Sequence, residues 1–306
     1  MKFTIYQESR PGKRPANEDR IAYTYSRDAL LMVVADGMGG HLHGEVAAQI
    51  AVQYVTEAFQ REARPLLKDP FLFLSGVLGN AHHAILDYAA DRFLPEAPRT
   101  TCVACVVQDS IAYWAHVGDS RLYAMRDGRI IAQTRDHSRV QRMVEDGQLS
   151  PEEALRHPAR NRIYSCLGGV SQPQIDFSKK TPLLAGDVLL LCTDGFWGPL
   201  AADAIERTLA EGNVLQALPR LLREAEANGG DNADNLSVIA LGWEDSYDED
   251  GLAGVSTQTM PVDAFTTQME SFAKARKGAK ALPDLSEEEI ERAIQEINAA
   301  IRKYSK

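Results

Sequence analysis

Aspartates stand where the apolar runs of this chain begin or end. The run 30–35 (L-L-M-V-V-A) passes straight into Asp36-Gly37, and 188–193 (V-L-L-L-C-T) into Asp194-Gly195. Asp19 precedes the strand-like 20–25, Asp119 sits between two alternating runs, and Asp234 precedes 236–241. A carboxylate at a strand end adds little stability, so five of them point to one rim of a β-structure that holds hard cations. Such cations, Mn²⁺ and Mg²⁺ among them, take oxygen ligands in octahedral geometry and keep several waters. Two ions about 4 Å apart need a bridging carboxylate and others drawn from different segments. Asp36 and Asp194 suit this role. Gly37 and Gly195 remove a Cβ so that backbone can approach an ion, and Gly37 can offer its carbonyl. Water on such an ion has a lowered pKa and becomes a nucleophile at neutral pH, which fits direct hydrolysis of a phosphate ester without a covalent enzyme intermediate.

Competing phosphotransfer motifs are absent from the sequence. There is no G-x-x-x-x-G-K-[ST] loop, kinase signature set or G-x-S-x-G elbow. The cluster Gly37-Met-Gly-Gly40 lacks the following lysine of a phosphate loop. The four cysteines offer no nucleophile, since none has an anion-cradling loop and nearby arginine. Cys102 and Cys105 have C-x-x-C spacing, but no second pair follows. Strand alternation puts them on opposite faces, so both read as reduced core residues.

Strand-like runs at 4–8, 20–25, 30–35, 100–108, 111–117, 121–125, 129–134, 188–193 and 236–241 carry these carboxylates. Short turns such as Asp127-Gly128 between neighbours argue for antiparallel meanders. Helical periodicity covers 44–61, 71–91, 139–147, 201–211 and 214–228. Helices thus fall between blocks of strands, an α+β pattern with helices on sheet faces. Residues 1–244 read as one mixed domain. Within it, 136–175 is polar and rich in turn formers, and reads as a surface flap between two core strands. Residues 245–285 read as an acidic and polar linker or adherent tail. A capping box at 286–289 opens an amphipathic C-terminal helix, 286–306.

The chain has 306 residues, 44% hydrophobic and 25% charged, enough for a sizeable core. A net charge of -10 and a pI of about 5.3 argue against nucleic acid or an anionic membrane as partners. No signal-peptide core opens the sequence, and no apolar run approaches the roughly 18 residues of a membrane helix. A cytoplasmic protein is expected.

The ordered set Arg14-Pro-Ala-Asn17-Glu18-Asp19, Asp36-Gly-Met-Gly-Gly-His41, Gly118-Asp-Ser-Arg121, Asp194-Gly195 and Asp234-Asn235 resembles the metal-dependent serine/threonine protein phosphatases of the PPM (type 2C) family, in their bacterial form. The resemblance implies a central β-sandwich of two antiparallel sheets flanked by helix pairs, in α-β-β-α layers, with two Mn²⁺ or Mg²⁺ ions at one end. It implies that Asp36 bridges both ions, that Gly37 offers its carbonyl, that Asp194 and Asp234 complete one shell, and that Asp19 holds metal-bound water with Glu18 near it. Arg14 matches the phosphate-binding arginine, whose planar fork suits bidentate contact. Asp119 matches the ligand of a third, weaker ion. Arg162, in the flap, is a candidate substrate contact. The partners implied are phosphoserine and phosphothreonine proteins and a cognate serine/threonine kinase.

Two departures stand out. Met38 occupies the position where many eukaryotic members carry a histidine as general acid, which leaves His41 or water on a third ion as candidates. Gly198 stands where some members carry a further aspartate for the third ion. Arg121 reads as half of a structural ion pair, and Ser120 and Asn235 as turn residues. His82 and His83 read as solvated or half-buried, His116 as a core or rim residue, and His137 and His157 have no assigned chemistry. A catalytically silent phosphoprotein binder is the alternative function. The hydroxyl-rich 256–267 is a candidate for phosphorylation and capture by a phosphothreonine-binding module.

Overall fold

A computed structural model describes residues 1–38, 43–201, 203–244, 255–257, 260–261 and 264–269. His41 and the expected C-terminal helix, 286–306, lie outside the described residues. Thirteen strands and seven helices follow in order: β1 (Lys2–Arg10), β2 (Arg20–Tyr25), β3 (Ala29–Ala35), α1 (Gly44–Glu62), α2 (Pro70–Asp91), β4 (Cys102–Gln108), β5 (Ile111–Val117), β6 (Arg121–Arg126), β7 (Arg129–Gln133), α3 (Arg139–Glu145), α4 (Pro151–Arg156), β8 (Asp176–Phe177), β9 (Thr181–Pro182), β10 (Val188–Cys192), α5 (Asp194–Trp197), α6 (Ala204–Ala210), α7 (Val214–Gly229), β11 (Leu236–Trp243), β12 (Val255–Ser256) and β13 (Thr266–Met269).

Two antiparallel sheets result. One runs β12-β1-β11-β10-β6-β7, and the other runs β13-β2-β3-β4-β5-β8, with β9 also on β5. Side-chain alternation sorts the apolar residues into three layers. Leu30, Met32 and Val34 of β3 face Leu189, Leu191, Ile239 and Leu241 of the other sheet. Leu31, Val33 and Ala35 face α1 and α2, where Ala48, Val52, Val55 and Leu78 meet them. Helices α6 and α7 cover the far face of the first sheet through Leu209, Leu218, Leu221 and Leu222. Both faces of each sheet are therefore covered, which is why β3 is buried along its whole length. Cys102 and Cys105 fall in different layers, as alternation requires.

The chain departs from the sequence reading at element ends and in the tail. The expected 201–211 helix starts only at Ala204, and Asp194 itself opens a separate short helix, α5. Helix α3 stops at Glu145, and Gly147 follows with φ 70°. Helix α4 lies in the flap, where Ser150 and Glu153 form a capping box that the S-P-E-E spelling carried unread. The stretch assigned to linker or tail supplies two edge strands: β12 pairs with Lys2 and Phe3, and β13 pairs with 22–25 of β2. Thr257 fastens the first to the N-terminus, accepting from Met1 N and donating to Arg27 O at 2.9 and 2.7 Å.

Candidate metal and phosphate site

Asp36 ends β3, and the next strand fixes its backbone: Thr101 N and Thr100 Oγ1 both donate to Asp36 O, at 2.9 and 2.8 Å. Asp36 N donates in turn to Thr101 Oγ1 at 3.0 Å. The two threonines read as the start of strand β4 are thus the clamp on Asp36. Asp194 follows β10. Its neighbour Thr193 is tied to β11 by Ser237 N, which donates to Thr193 Oγ1 at 3.1 Å. Thr193 Oγ1 donates across to Asp19 Oδ2 at 2.9 Å, joining the two sheets at this end.

The glycines of the two Asp-Gly pairs also serve the packing of the rim. A Cβ on Gly195 would lie 2.0 Å from Asn235 O, and one on Gly37 would lie 2.5 Å from Gly44 O and 2.7 Å from Glu18 O. They let neighbouring backbones meet, and so bring Asp194 beside Asp234 and Asp36 beside Glu18. Asn235 completes the frame. Its side chain accepts from Glu18 N at 2.8 Å and donates to Pro11 O and Ala16 O at 3.0 and 2.9 Å, holding the loop that carries Arg14.

These elements open a cleft of about 330 Å³ lined by Arg14, Glu18, Asp36, Gly37, Met38, Asp119, Asn161, Asp194 and Asp234, among others. Asp19 is not on its wall. It lies beneath, 1% exposed, with Oδ1 lacking any hydrogen-bond partner. Glu18 Oε2 is likewise buried without a partner. Burial first, and the neighbouring aspartates second, push the Asp36 and Asp119 carboxyls well above the usual range. Burial also pushes Asp19 up to about 7, against hydrogen bonds from Ser237 and Thr193, and Asp194 up to about 6. A cluster of this kind, made only of oxygen donors with orphaned lone pairs and mutual repulsion, fits hard divalent cations and no soft metal.

Arg14 Nη2 donates to Asp234 Oδ2 at 2.9 Å, while Asp234 Oδ1 accepts from Asn235 N at 2.9 Å. Arg162 does not line the cleft. Its neighbours Asn161 and Ile163 do, and Arg162 faces an adjoining pocket. Asn161 carried no sequence signal beyond its place in a turn-rich stretch. Arg121 makes the expected ion pair, both nitrogens reaching Asp136 at 2.8 Å, and lies 3.4 Å over the Trp197 ring. His82, read as solvated or half-buried, is 1% exposed, and its Nδ1 accepts from Gly168 N at 3.1 Å.

Behind Asp119 is a feature the sequence did not reveal. His116, His137 and Asp176 bring their ligand atoms within 4.8 Å of one another. His137 Nδ1 accepts from Gly118 N at 3.2 Å, so the neutral ring carries its proton on Nε2, which faces Asp176 Oδ2 at 3.3 Å. With one nitrogen bonded to a donor and the other protonated, His137 has no lone pair for a metal. The group instead joins β8, the start of the flap and the loop bearing Asp119, through the Gly118–His137 hydrogen bond and the close His137–Asp176 contact. His116 stacks on it at 4.7 Å, its Nε2 2.7 Å from Arg135 O.

The family model for protein phosphatase 2C matches residues 9–232. This chain belongs to that family. The chain is similar to the serine/threonine phosphatase stp of Listeria monocytogenes, 29% identical over 231 residues, 74% of this chain and 90% of the relative. It is 33% identical to the serine/threonine protein phosphatase PstP of Mycobacterium tuberculosis over 227 residues, 74% of this chain and 42% of that protein. Among solved structures, the serine/threonine phosphatase Stp1 of Staphylococcus aureus superposes with a TM-score of 0.72 at 31% identity, covering 79% of this chain and 95% of that one. The catalytic domain of a PstP in complex with two manganese ions gives 0.66 at 29% identity, covering 80% and 100%. The chain is a metal-dependent serine/threonine protein phosphatase of the bacterial 2C type, with the antiparallel sandwich of that family. No helix among the described residues is long and apolar enough to cross a membrane.

Proposed function

We propose that this phosphatase hydrolyses phosphoserine and phosphothreonine in proteins with two Mn²⁺ or Mg²⁺ ions held by Asp36, Asp194, Asp234, the Gly37 carbonyl and, through water, Asp19. The observation that carries the reading is the buried carboxylate cluster itself: Glu18, Asp36, Asp119, Asp194 and Asp234 line the cleft, and among its described lining residues Arg14 is the one cation. When bound, the ions lower the pKa of coordinated water and offset the charge of the phosphate.

The protein's own groups account for the rest. Thr100 and Thr101 anchor the Asp36 backbone, which fixes the point from which its carboxylate leaves the strand. Thr193 holds Asp19 Oδ2 and leaves Oδ1 as an acceptor for a water proton. Arg14 exchanges Asp234 for substrate phosphate, using in-plane N–H donors that match phosphate oxygens. Met38 places a thioether on the cleft wall and supplies no proton to the leaving alkoxide. The candidates for that proton are His41 and a water at Asp119, the residue that would hold a third ion. The activity opposes a serine/threonine kinase in the same cytoplasm, and the exposed Ser256, Thr266 and Thr267 of the tail are candidate targets of that kinase, whereas Thr257 is buried against the N-terminus.

The deciding experiment measures hydrolysis of p-nitrophenyl phosphate and a phosphothreonine peptide against Mn²⁺ and Mg²⁺, on wild type and Asp36→Asn, with metal content determined in parallel. Two ions per wild-type chain and turnover lost in the variant establish the reading. Wild-type turnover in Asp36→Asn overturns the ligand assignment.

A further inference from the structure

The pocket that receives Arg162 holds a second concentration of charge. About 490 Å³ in volume, it is lined by Arg139, Arg142, Met143, Asp146, Arg162, Ile163 and Tyr164. Ile163 lines both this pocket and the carboxylate cleft, so the two adjoin. Arg139 and Arg162 are brought together by backbone: Arg139 N donates to Arg162 O at 2.8 Å, and Ser138 bridges to Ile163. Arg142 lies 3.6 Å over the Tyr164 ring. Stacking occupies the face of the guanidinium and leaves its edge donors free.

Charge makes this arrangement unusual. The chain carries a net -10, yet three arginines face one pocket with Asp146 as the lone carboxylate on its wall. Among the described residues, none of the three guanidiniums makes a salt bridge, whereas nearby Arg121 and Arg135 are paired with Asp136 and Glu145. Three arginines against one carboxylate leave an excess of positive charge on the pocket wall, and an anion placed among them is attracted.

We infer that this pocket is a subsite for a second anionic group of the substrate, a carboxylate or phosphate flanking the phosphorylated residue. The inference rests on the phosphatase reading and narrows its substrate class to peptides with an acidic or doubly phosphorylated neighbourhood. Arg142 is the anchor, pre-oriented by Tyr164. Arg139 and Arg162 complete the cradle.

The test uses the full chain with Mn²⁺ and a phosphothreonine peptide otherwise free of acidic residues. A single glutamate, and separately a second phosphothreonine, is moved along both flanks. The expected result is a gain of roughly five- to tenfold in kcat/KM at one or more positions, carried by KM. The ratio of anionic to neutral peptide is internal to each preparation, so it does not depend on the amount of folded enzyme. In Arg139→Gln/Arg142→Gln that ratio falls to about one, and in Asp146→Asn it rises above wild type. A gain confined to the second phosphate identifies a dianion subsite, and a gain in both series a general carboxylate or phosphate subsite. No gain at any position, or a gain that survives the double substitution, overturns the inference. Failure of wild type to hydrolyse p-nitrophenyl phosphate with any metal would instead sink the reading beneath it.

Discussion

Arg14 Nη2 sits 2.9 Å from Asp234 Oδ2, so the guanidinium assigned to substrate phosphate is held by a carboxylate assigned to a metal. Asp234 is the hinge between the two tasks. Its second oxygen is fixed by the Asn235 amide, and the side chain of Asn235 holds the loop on which Arg14 rides. In the proposed mechanism the arginine is stored beside the place where it would act.

Replacement of Arg14 separates catalysis from stability. The arginine side chain is 55% exposed, and an ion pair of that kind contributes about 0–1 kcal/mol. Arg14→Gln is expected to keep its melting temperature within a degree or two while kcat/KM on a phosphopeptide falls roughly 100-fold. Arg14→Lys recovers only part, because a point charge lacks the fork. Steady-state kinetics beside thermal melts decide it, and unchanged kcat/KM would move phosphate binding elsewhere.

Asp36→Asn carries two effects of opposite sign. Hydrolysis is lost, yet the metal-free protein becomes more stable, because one member of a mutually repelling buried group is neutralised. Melting in excess chelator should show a higher midpoint for the variant, and melting in Mn²⁺ a lower one. A variant less stable in both conditions would indicate a structural role alone.

The same carboxylates set the pH dependence of the metal-free fold. Asp19 and Asp194 have folded pKa values of about 7 and about 6, above the usual aspartate range near 4. Between those limits the folded state binds more protons than the unfolded one, so stability falls as pH rises from about 4 to about 7. Chelated protein should therefore melt higher at pH 5.5 than at pH 8. Saturating Mn²⁺ should flatten or reverse that slope.

Gly195→Ala tests the packing that sets the carboxylate spacing. The added methyl meets Asn235 O at 2.0 Å and Asp234 Cβ at 3.1 Å, so Asp194 and Asp234 must move apart. Overpacking of this kind costs about 1–3 kcal/mol. Mn²⁺ affinity, read by calorimetry, should weaken with it. Unchanged affinity would mean that the cleft tolerates the wider spacing.

His137→Phe removes the acceptor of the buried Gly118 amide. Leaving such a donor unpaired costs about 1–3 kcal/mol. Burial holds the His137 pKa below its ordinary value, so this group's stabilisation is present above about pH 6.5 and fades on acidification, opposite to the aspartates. Melting curves of wild type and variant from pH 5 to 8 should converge at the acid end.

The sequence displayed the site better than the frame around it. Asp36, Asp119, Asp194 and Asp234 were visible because charge at the edge of an apolar run conflicts with burial, and they do meet in one cleft. Strands β2 and β5 were legible to the residue, since covering both faces of a sheet leaves continuous apolar runs. The His116–His137–Asp176 group was not, because its members come from β5, the start of the flap and β8, and only folding brings them together. The packing role of Gly195 was hidden for a related reason: the atom that forbids a side chain there belongs to Asn235, forty residues on. The edge strands β12 and β13 are too short to show a period.

Those two short strands sit outside the 9–232 span that this chain shares with its family. Each covers an outermost strand, β12 on β1 and β13 on β2. A chain trimmed at 244 would uncover Lys2 and Phe3 of β1 and 22–25 of β2, and unpaired N–H and C=O groups on a sheet edge are a template for strand addition by another molecule. The described part of the tail thus puts two short strands at the borders where a neighbouring copy could pair.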